Sequence, residues 1–342
     1  MRLTLICRVI DNFGDAGFSL RLASALARLN YPVQVLCDQA SLIRQLAGSN
    51  WPELVELTHI HDQTELQDAL KPTDGVIECF GSSNCPDSPL LNSVIRSVIG
   101  QKPWAVVDYL SAEPWVEHLH GVSSVDPFDG YKSVYLYPGF SDKTGGLIHC
   151  DAAPVELTQP EIKKTHSIFV FCYANAPVDF LSNALKDTDM LTISDMSPVQ
   201  MQQIAHQKQP AVALEELDSM LATHDWLFVR GEDSFVRAQL TGKPMVWQIY
   251  PTPDGAHEVK LMAFLGVYCV GLTPEVKADV VSLWRAWNGL EPPEKIATAW
   301  QALYPNYQTL QTHALAWARK LREGPELVSV ILTALRDSSL YS

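Results

Sequence analysis

Long hydrophobic runs are missing from this sequence. No stretch of about 18 apolar residues is present, so no membrane-spanning helix is expected. Positive charge is scarce: 25 Lys and Arg stand against 39 Asp and Glu, a net charge of −14. Proteins that grip a nucleic-acid backbone need clustered cations, so no nucleic-acid partner is expected. A local basic pocket for a small phosphate ligand still fits this balance. Paired cysteines are missing too. Cys7, Cys37, Cys79, Cys85, Cys150, Cys172 and Cys269 are scattered, mostly in apolar runs and with no CxxC pair. That is the pattern of buried reduced thiols, not of a disulfide framework or a zinc site. Glu117, His118 and His120 match no zinc spacing and read as surface residues. There is no internal repeat and no low-complexity segment. Residues 1–9 are followed at once by Asp11 and Asp15, so they read as a strand and not as a signal peptide. A cytoplasmic protein is the expectation.

What is there belongs to a folded α/β protein. The 342 residues are 47% hydrophobic and 19% charged, and the length suggests two domains. Residues 3–10 read as a first, central strand and residues 18–29 as a helix whose Leu22, Ala23, Leu26 and Leu29 share one face. Between them Asp11-Asn12-Phe13-Gly14-Asp15-Ala16-Gly17 reads as a loop with two carboxylates four residues apart. No third Gly completes a G-x-G-x-x-G fingerprint, which argues against a dinucleotide oxidoreductase. Further strands are expected at 33–37, 54–59, 75–80 and 104–109, with a small-residue turn at 81–84 and Glu113 beyond the last of them. Residues 153–165 carry Pro and polar side chains and make the best linker. A second set of strands is expected at 167–173, 191–194 and 211–214, with helices at 178–185, 199–206, 217–223 and 257–265. In the last of these Val259, Met262 and Leu265 are expected to turn inward. The tail from 276 is expected to be helical and rich in tryptophan.

The most informative stretch runs from 225 to 250. Residues 226–229 form a short apolar run that stops at Arg230-Gly231, as a buried parallel strand does. Asp233 or Ser234 is the expected N-cap of a helix through Leu240. Gly242 and Pro244 end it, and residues 245–250 rise as the next strand. In an open α/β sheet, ligands sit beyond the carboxyl ends of the strands, where helix N-terminal N–H groups face an anion. Arg230, Glu232, Asp233 and Ser234 crowd that turn, and Tyr250 ends the following strand.

Several motifs occur together in order. They are Ile10-Asp11-Asn12-Phe13-Gly14-Asp15-Ala16-Gly17, Tyr109-Leu110-Ser111-Ala112-Glu113, and Tyr137-Pro138-Gly139-Phe140 with Lys143-Thr144-Gly145-Gly146-Leu147. The last is Val229-Arg230-Gly231-Glu232-Asp233-Ser234-Phe235 with Gly242-Lys243-Pro244 and Trp247. With these the chain resembles, over nearly its whole length, the bacterial protein-arginine rhamnosyltransferases of elongation factor P, the EarP type.

That resemblance implies a GT-B fold: two facing Rossmann-like domains with an interdomain cleft. An acceptor-binding domain is expected at 1–152 and a nucleotide-sugar domain at 166–315, with a C-terminal helix, about 316–342, crossing back to the first. It implies inverting, metal-independent transfer of L-rhamnose from dTDP-β-L-rhamnose to one arginine of elongation factor P. No cofactor beyond that donor is implied. By the same resemblance Asp15 is similar to the family's general base and Asp11 to the carboxylate assisting it. Glu232 matches a further catalytic residue. Asn12, Phe13 and Gly14 lie against the donor, Tyr173 against the thymine, and Arg230, Gly231, Asp233 and Ser234 at the diphosphate, with Tyr250 nearby. Thr252 and Leu214 stand where family members carry Gln. Two other functions fit the same residues: a GT-B transferase with another nucleotide sugar or acceptor, and a non-catalytic sugar-nucleotide-binding regulator. Keeping both Asp11 and Asp15 speaks against the regulator, because binding alone does not need paired acids.

Overall fold

In the computed structural model the described residues are 1–59, 63–81, 97–98, 102–125, 130–152, 164–198 and 207–339. The turn expected at 82–84, the helix expected at 199–206 and linker residues 153–163 lie outside them, as do Cys85 and residues 340–342. The chain divides into two compact units, one of Met1–Asp151 with Gly324–Ser342 and one of Ala152–Glu323.

The first unit is built on a seven-stranded sheet of order β3-β2-β1-β4-β5-β7-β6. Its strands are β1 Leu3–Cys7, β2 Val33–Cys37, β3 Val55–His59, β4 Gly75–Cys79, β5 Trp104–Val107, β6 Val122–Val125 and β7 Lys132–Leu136. All pair in parallel except β6 with β7. The central strands β1, β2 and β4 are buried at every position and are mostly apolar, each with one buried polar residue, Thr4, Gln34 and Glu78. Helices α1 Asn12–Arg28, α2 Ala40–Ala47, α3 Gln63–Leu70 and α4 Val116–Leu119 follow in the same unit. Ile6, Leu36, Leu70, Val76, Trp104, Val106 and Tyr131 form one core cluster on this sheet.

The expected loop at 11–17 is a correction. Helix α1 already begins at Asn12, with Asp11 at the N-cap position. The two glycines sit in its first turns, where the carboxylate of Asp15 holds the entry, so a pair of weak helix formers is tolerated. Leu29, expected inward, is the exposed C-cap.

The second unit has a five-stranded parallel sheet of order β10-β9-β8-β11-β12. The strands are β8 Ser167–Val170, β9 Met190–Ser194, β10 Gln207–Gln209, β11 Trp226–Arg230 and β12 Met245–Gln248. The strand expected at 211–214 is therefore displaced. The pairing falls on the polar Gln207–Gln209, and 211–214 lies beyond it without strand pairing. Helices α5 Val178–Ala184, α6 Leu217–Ala222, α7 Asp233–Leu240, α8 Ala256–Tyr268, α9 Pro274–Trp287, α10 Lys295–Leu303 and α11 Tyr307–Glu323 complete the unit. Its core is aromatic: Trp226 lies 4.8 Å from Trp300, and Phe228 lies 4.6 Å from Trp287, ring centre to ring centre. All eight residues of α7 are buried.

The helix expected from about 316 is two helices. Residues up to Glu323 belong to α11 and to the second unit. Gly324-Pro325 interrupts the helix, since Pro lacks the N–H and its ring clashes with the preceding turn. Helix α12 Leu327–Ser339 then packs in the first unit, against β5 and α1.

Candidate active site

Both sheets contain the order third-second-first-fourth-fifth, counted along each unit's own strands. The order reverses between β1 and β4 in the first unit and between β8 and β11 in the second, and such switch points are where open α/β sheets hold ligands. The residues expected from the sequence sit at these two places.

At the first, Asp15 is 2% exposed. Its Oδ2 atom accepts the backbone N–H groups of Ile10 at 2.7 Å and Asp11 at 2.8 Å. Burial pushes the Asp15 carboxyl up to about 6; these two bonds and one from the Tyr109 side chain pull it down, while the charge of Asp11 adds to the rise. A carboxylate titrating near 6 suits general-base work at neutral pH. Asp11 is half-buried, and its carbonyl accepts the N–H of Gly14 at 2.6 Å. A Cβ on Gly14 would lie 2.5 Å from Asp11 Oδ2, so only glycine lets that carboxylate lie along the turn. Asn12 and Phe13 open the same helix. Glu113 accepts the hydroxyl of Ser111 at 3.0 Å.

At the second, Arg230 ends β11 with its guanidinium 4.5 Å from the ring centre of Phe171 and 4.5 Å from that of Tyr173. Two aromatic faces hold the planar cation in place, each contact contributing on the order of 1 kcal/mol. Tyr173 in turn meets Tyr250 edge to face at 5.7 Å, and its N–H donates to Gln248 Oε1 at 2.8 Å. Gln248 Nε2 donates to Asn175. Gly231 adopts φ 65°, the left-handed region that favours glycine. Its carbonyl accepts the indole N–H of Trp247 at 2.7 Å, and Trp247 stacks on Phe235 at 4.1 Å.

The expected N-cap is corrected here. Helix α7 begins at Asp233, Glu232 occupies the cap position without a side-chain cap bond, and the Ser234 hydroxyl donates back to the Arg230 carbonyl. Ser234 is turned to that nearer acceptor, a local side-chain-to-backbone bond that competes with capping. The first-turn N–H groups of a helix have no intrahelical acceptor, which makes this end suited to an anion.

Asp11, Phe13, Gly14 and Asp15 thus come together at one switch point, with Asn12 opening the same helix turn. Tyr173, Arg230, Gly231, Glu232, Asp233, Ser234 and Tyr250 gather at the other. Sequence reasoning missed Phe171, Gln248 and the link from Tyr109 to Asp15. Gln248 carries a readable signal, a buried amide inside the apolar run 245–249. Thr252 is used locally: its N–H donates to His257 Nδ1 at 3.1 Å, and its hydroxyl accepts the His257 N–H. Leu214 is buried. The groove between β6, β7 and α12, lined in part by Lys102, His120, Ser123, Lys132 and Glu326, contains none of the expected residues. Among the described residues no group of three or more His, Cys, Asp or Glu is arranged to hold a metal ion, and no helix is long and apolar enough to cross a membrane.

Comparison with known proteins adds to this geometry. The profile of the family described as Elongation-Factor P (EF-P) rhamnosyltransferase EarP matches residues 3–336. A protein-arginine rhamnosyltransferase of Pseudomonas putida is 29% identical over 98% of each chain. One of Neisseria meningitidis is 31% identical over 94% of this chain and 93% of its own. A solved structure described as "Structural basis for EarP-mediated arginine glycosylation of translation elongation factor EF-P" has TM-score 0.58 and 22% identity, covering 98% of this chain and 99% of that one. CalG4, the calicheamicin glycosyltransferase, has TM-score 0.52 and 12% identity, covering 98% of this chain and 97% of its own. At that identity the structures speak for the fold alone, which is GT-B. The family match spans both sheets and both switch points, and the chain belongs to the EarP family of protein-arginine rhamnosyltransferases.

Proposed function

We propose that this enzyme moves L-rhamnose from dTDP-β-L-rhamnose onto one arginine of translation elongation factor P, with inversion at the anomeric carbon and no cofactor beyond the donor. The observation that carries the reading is the Asp15 carboxyl, buried and poised near 6 at the end of the opening strand. Arginine is a poor nucleophile, since its lone pair is delocalised and its pKa exceeds about 12. As its nitrogen bonds to the anomeric carbon, the bond to the diphosphate breaks. A proton must leave the nitrogen or the product would carry two positive charges. Asp15 accepts that proton, and Asp11 beside it holds the guanidinium fork and favours its charge on one nitrogen.

The donor belongs to the second unit. Tyr173 stacks on the thymine, with Tyr250 beside it, and Arg230 with the start of α7 stabilises the departing diphosphate. Gly231, Asp233 and Ser234 shape that turn. Glu232 would repel phosphate, so its role is to accept a hydrogen bond from a sugar hydroxyl. Asn12, Phe13 and Gly14 complete the donor's surroundings. The test is the intact mass of elongation factor P after incubation with enzyme and dTDP-β-L-rhamnose. One deoxyhexose on one arginine is expected, with an inverted anomer by NMR. An unmodified acceptor, or a sugar on a hydroxyl, would overturn the reading.

A further inference from the structure

Three successive strand ends meet around Asp15. Beyond β1 lies the Asp11–Asp15 turn, beyond β4 lies Phe80, and beyond β5 lies Tyr109. Phe80 extends the pairing by one residue, donating its N–H to Val107 O at 2.7 Å, and then turns to φ 60°. A bulky residue in the left-handed region is uncommon and strained, and such strain clusters at functional sites. Here it lays the Phe80 ring flat on Tyr109, with centres 4.1 Å apart and planes 11° apart. Phe18, from the buried face of α1, backs Phe80 at 5.0 Å. The Tyr109 backbone is fixed as well, its N–H donating to Asp108 Oδ1 at 2.7 Å.

We propose that Tyr109 is a positioning residue for the transfer: its hydroxyl, carried by a ring stacked on Phe80, which Phe18 backs, fixes the Asp15 carboxylate in the orientation a base requires. This rests on the reading of Asp15 as the base. Asp15 already receives two backbone donors on Oδ2, and these fix where that oxygen lies. A third, side-chain donor fixes the rotation of the carboxylate plane. A phenol-to-carboxylate bond is charge-assisted and favours the ionised form, consistent with the direction in which Tyr109 moves the Asp15 carboxyl. The phenol remains the donor and is not consumed. The strained Phe80 backbone thereby acquires a purpose, since without it the tyrosine would have no flat surface to rest on.

The variant Tyr109→Phe keeps the ring in its stack and removes only the hydroxyl, so it folds. Carboxyl NMR should find the Asp15 titration displaced to higher pH. The acid limb of kcat/KM against pH should move the same way, with kcat lowered roughly tenfold and the Kd for thymidine diphosphate unchanged. An Asp15 titration that stays where it was in the wild type overturns the proposal. So does a displaced titration with kcat intact. The parallel variant Asp15→Asn separates the two claims: if it keeps full turnover while Tyr109→Phe still displaces the Asp15 titration and lowers kcat, the base assignment fails and the positioning of this carboxylate by Tyr109 stands.

Discussion

The carboxylate of Asp15 closes back on the entry to its own helix, accepting the backbone N–H of Asp11 at 2.8 Å. The group proposed to take the proton is therefore also the one that holds the first turn of α1 shut. Structure and chemistry share one side chain, and an isosteric amide separates them.

The fold holds this carboxyl above its ordinary range, from 3.8 to about 6, so the charged form is what folding disfavours. The group's favourable contribution is therefore full below the unfolded value and is lost as pH rises from about 4 through about 6, a change of roughly 3 kcal/mol. Asp15→Asn keeps an oxygen acceptor for the two N–H groups and never ionises. Urea unfolding from pH 4 to 8 should show the variant gaining on the wild type as pH rises, while its kcat at pH 7 falls on the order of a hundredfold or more. Parallel stability curves at all pH values would remove the buried, raised carboxyl from the account.

A substitution at Gly14 tests the position of Asp11 while leaving both acidic residues in the chain. An added Cβ would sit 2.5 Å from Asp11 Oδ2 and 3.1 Å from its Cγ, so in Gly14→Ala the Asp11 side chain swings away while the helix keeps its course. Alanine is the better helix former by about 1 kcal/mol. The melting temperature should hold within a few degrees while turnover drops on the order of ten- to a hundredfold, as misplacing a reacting group does. A variant as active as the wild type would show that the position of Asp11 is irrelevant.

The parts of the fold legible in the sequence were those decided by burial. Strands β1, β2, β4 and β11 are covered on both faces and read as mostly apolar runs, and the paired acids and Arg230 stood at their ends. The parts that stayed hidden depend on contacts. Edge strands β6 and Gln207–Gln209 carry no alternating pattern, because their side chains face solvent at most positions. In α8 the inward face is Leu261, Phe264, Leu265 and Tyr268, while Val259, expected inward, is 59% exposed. That helix is apolar on nearly every side, so periodicity could not set its phase. The link from Tyr109 to Asp15 joins residues 94 apart in the chain through a third residue in a rare backbone conformation, and no spacing rule reports it.

Arg230 lies against two ring faces, its guanidinium 4.5 Å from the ring centres of both Phe171 and Tyr173. Lysine keeps the charge but has neither the flat surface nor the fork. Calorimetry with thymidine diphosphate should find Kd raised on the order of tenfold in Arg230→Lys, and raised again in Tyr173→Ala through lost stacking on the base. Affinity unchanged in both variants would move the nucleotide away from β8 and β11.

Glu232 carries the wrong charge for the diphosphate proposed at this turn, which makes it a sharp test. It is 9% exposed and occupies the cap position of α7, yet its side chain makes no cap bond. A residue kept for the helix alone would be used as a cap, and one kept to bind diphosphate would be neutral or basic. An acceptor for a sugar hydroxyl meets both objections. Glu232→Gln retains the shape and loses the charge that strengthens such a bond, by about 1 kcal/mol or more. Thymidine diphosphate, which has no rhamnose, should bind the variant as well as or better than it binds the wild type, since a repulsive charge has gone. Turnover of the full donor should fall tenfold or more, read as kcat at saturating acceptor. Full turnover in the variant would strip Glu232 of any part in the reaction, and weaker binding of thymidine diphosphate would return it to the nucleotide.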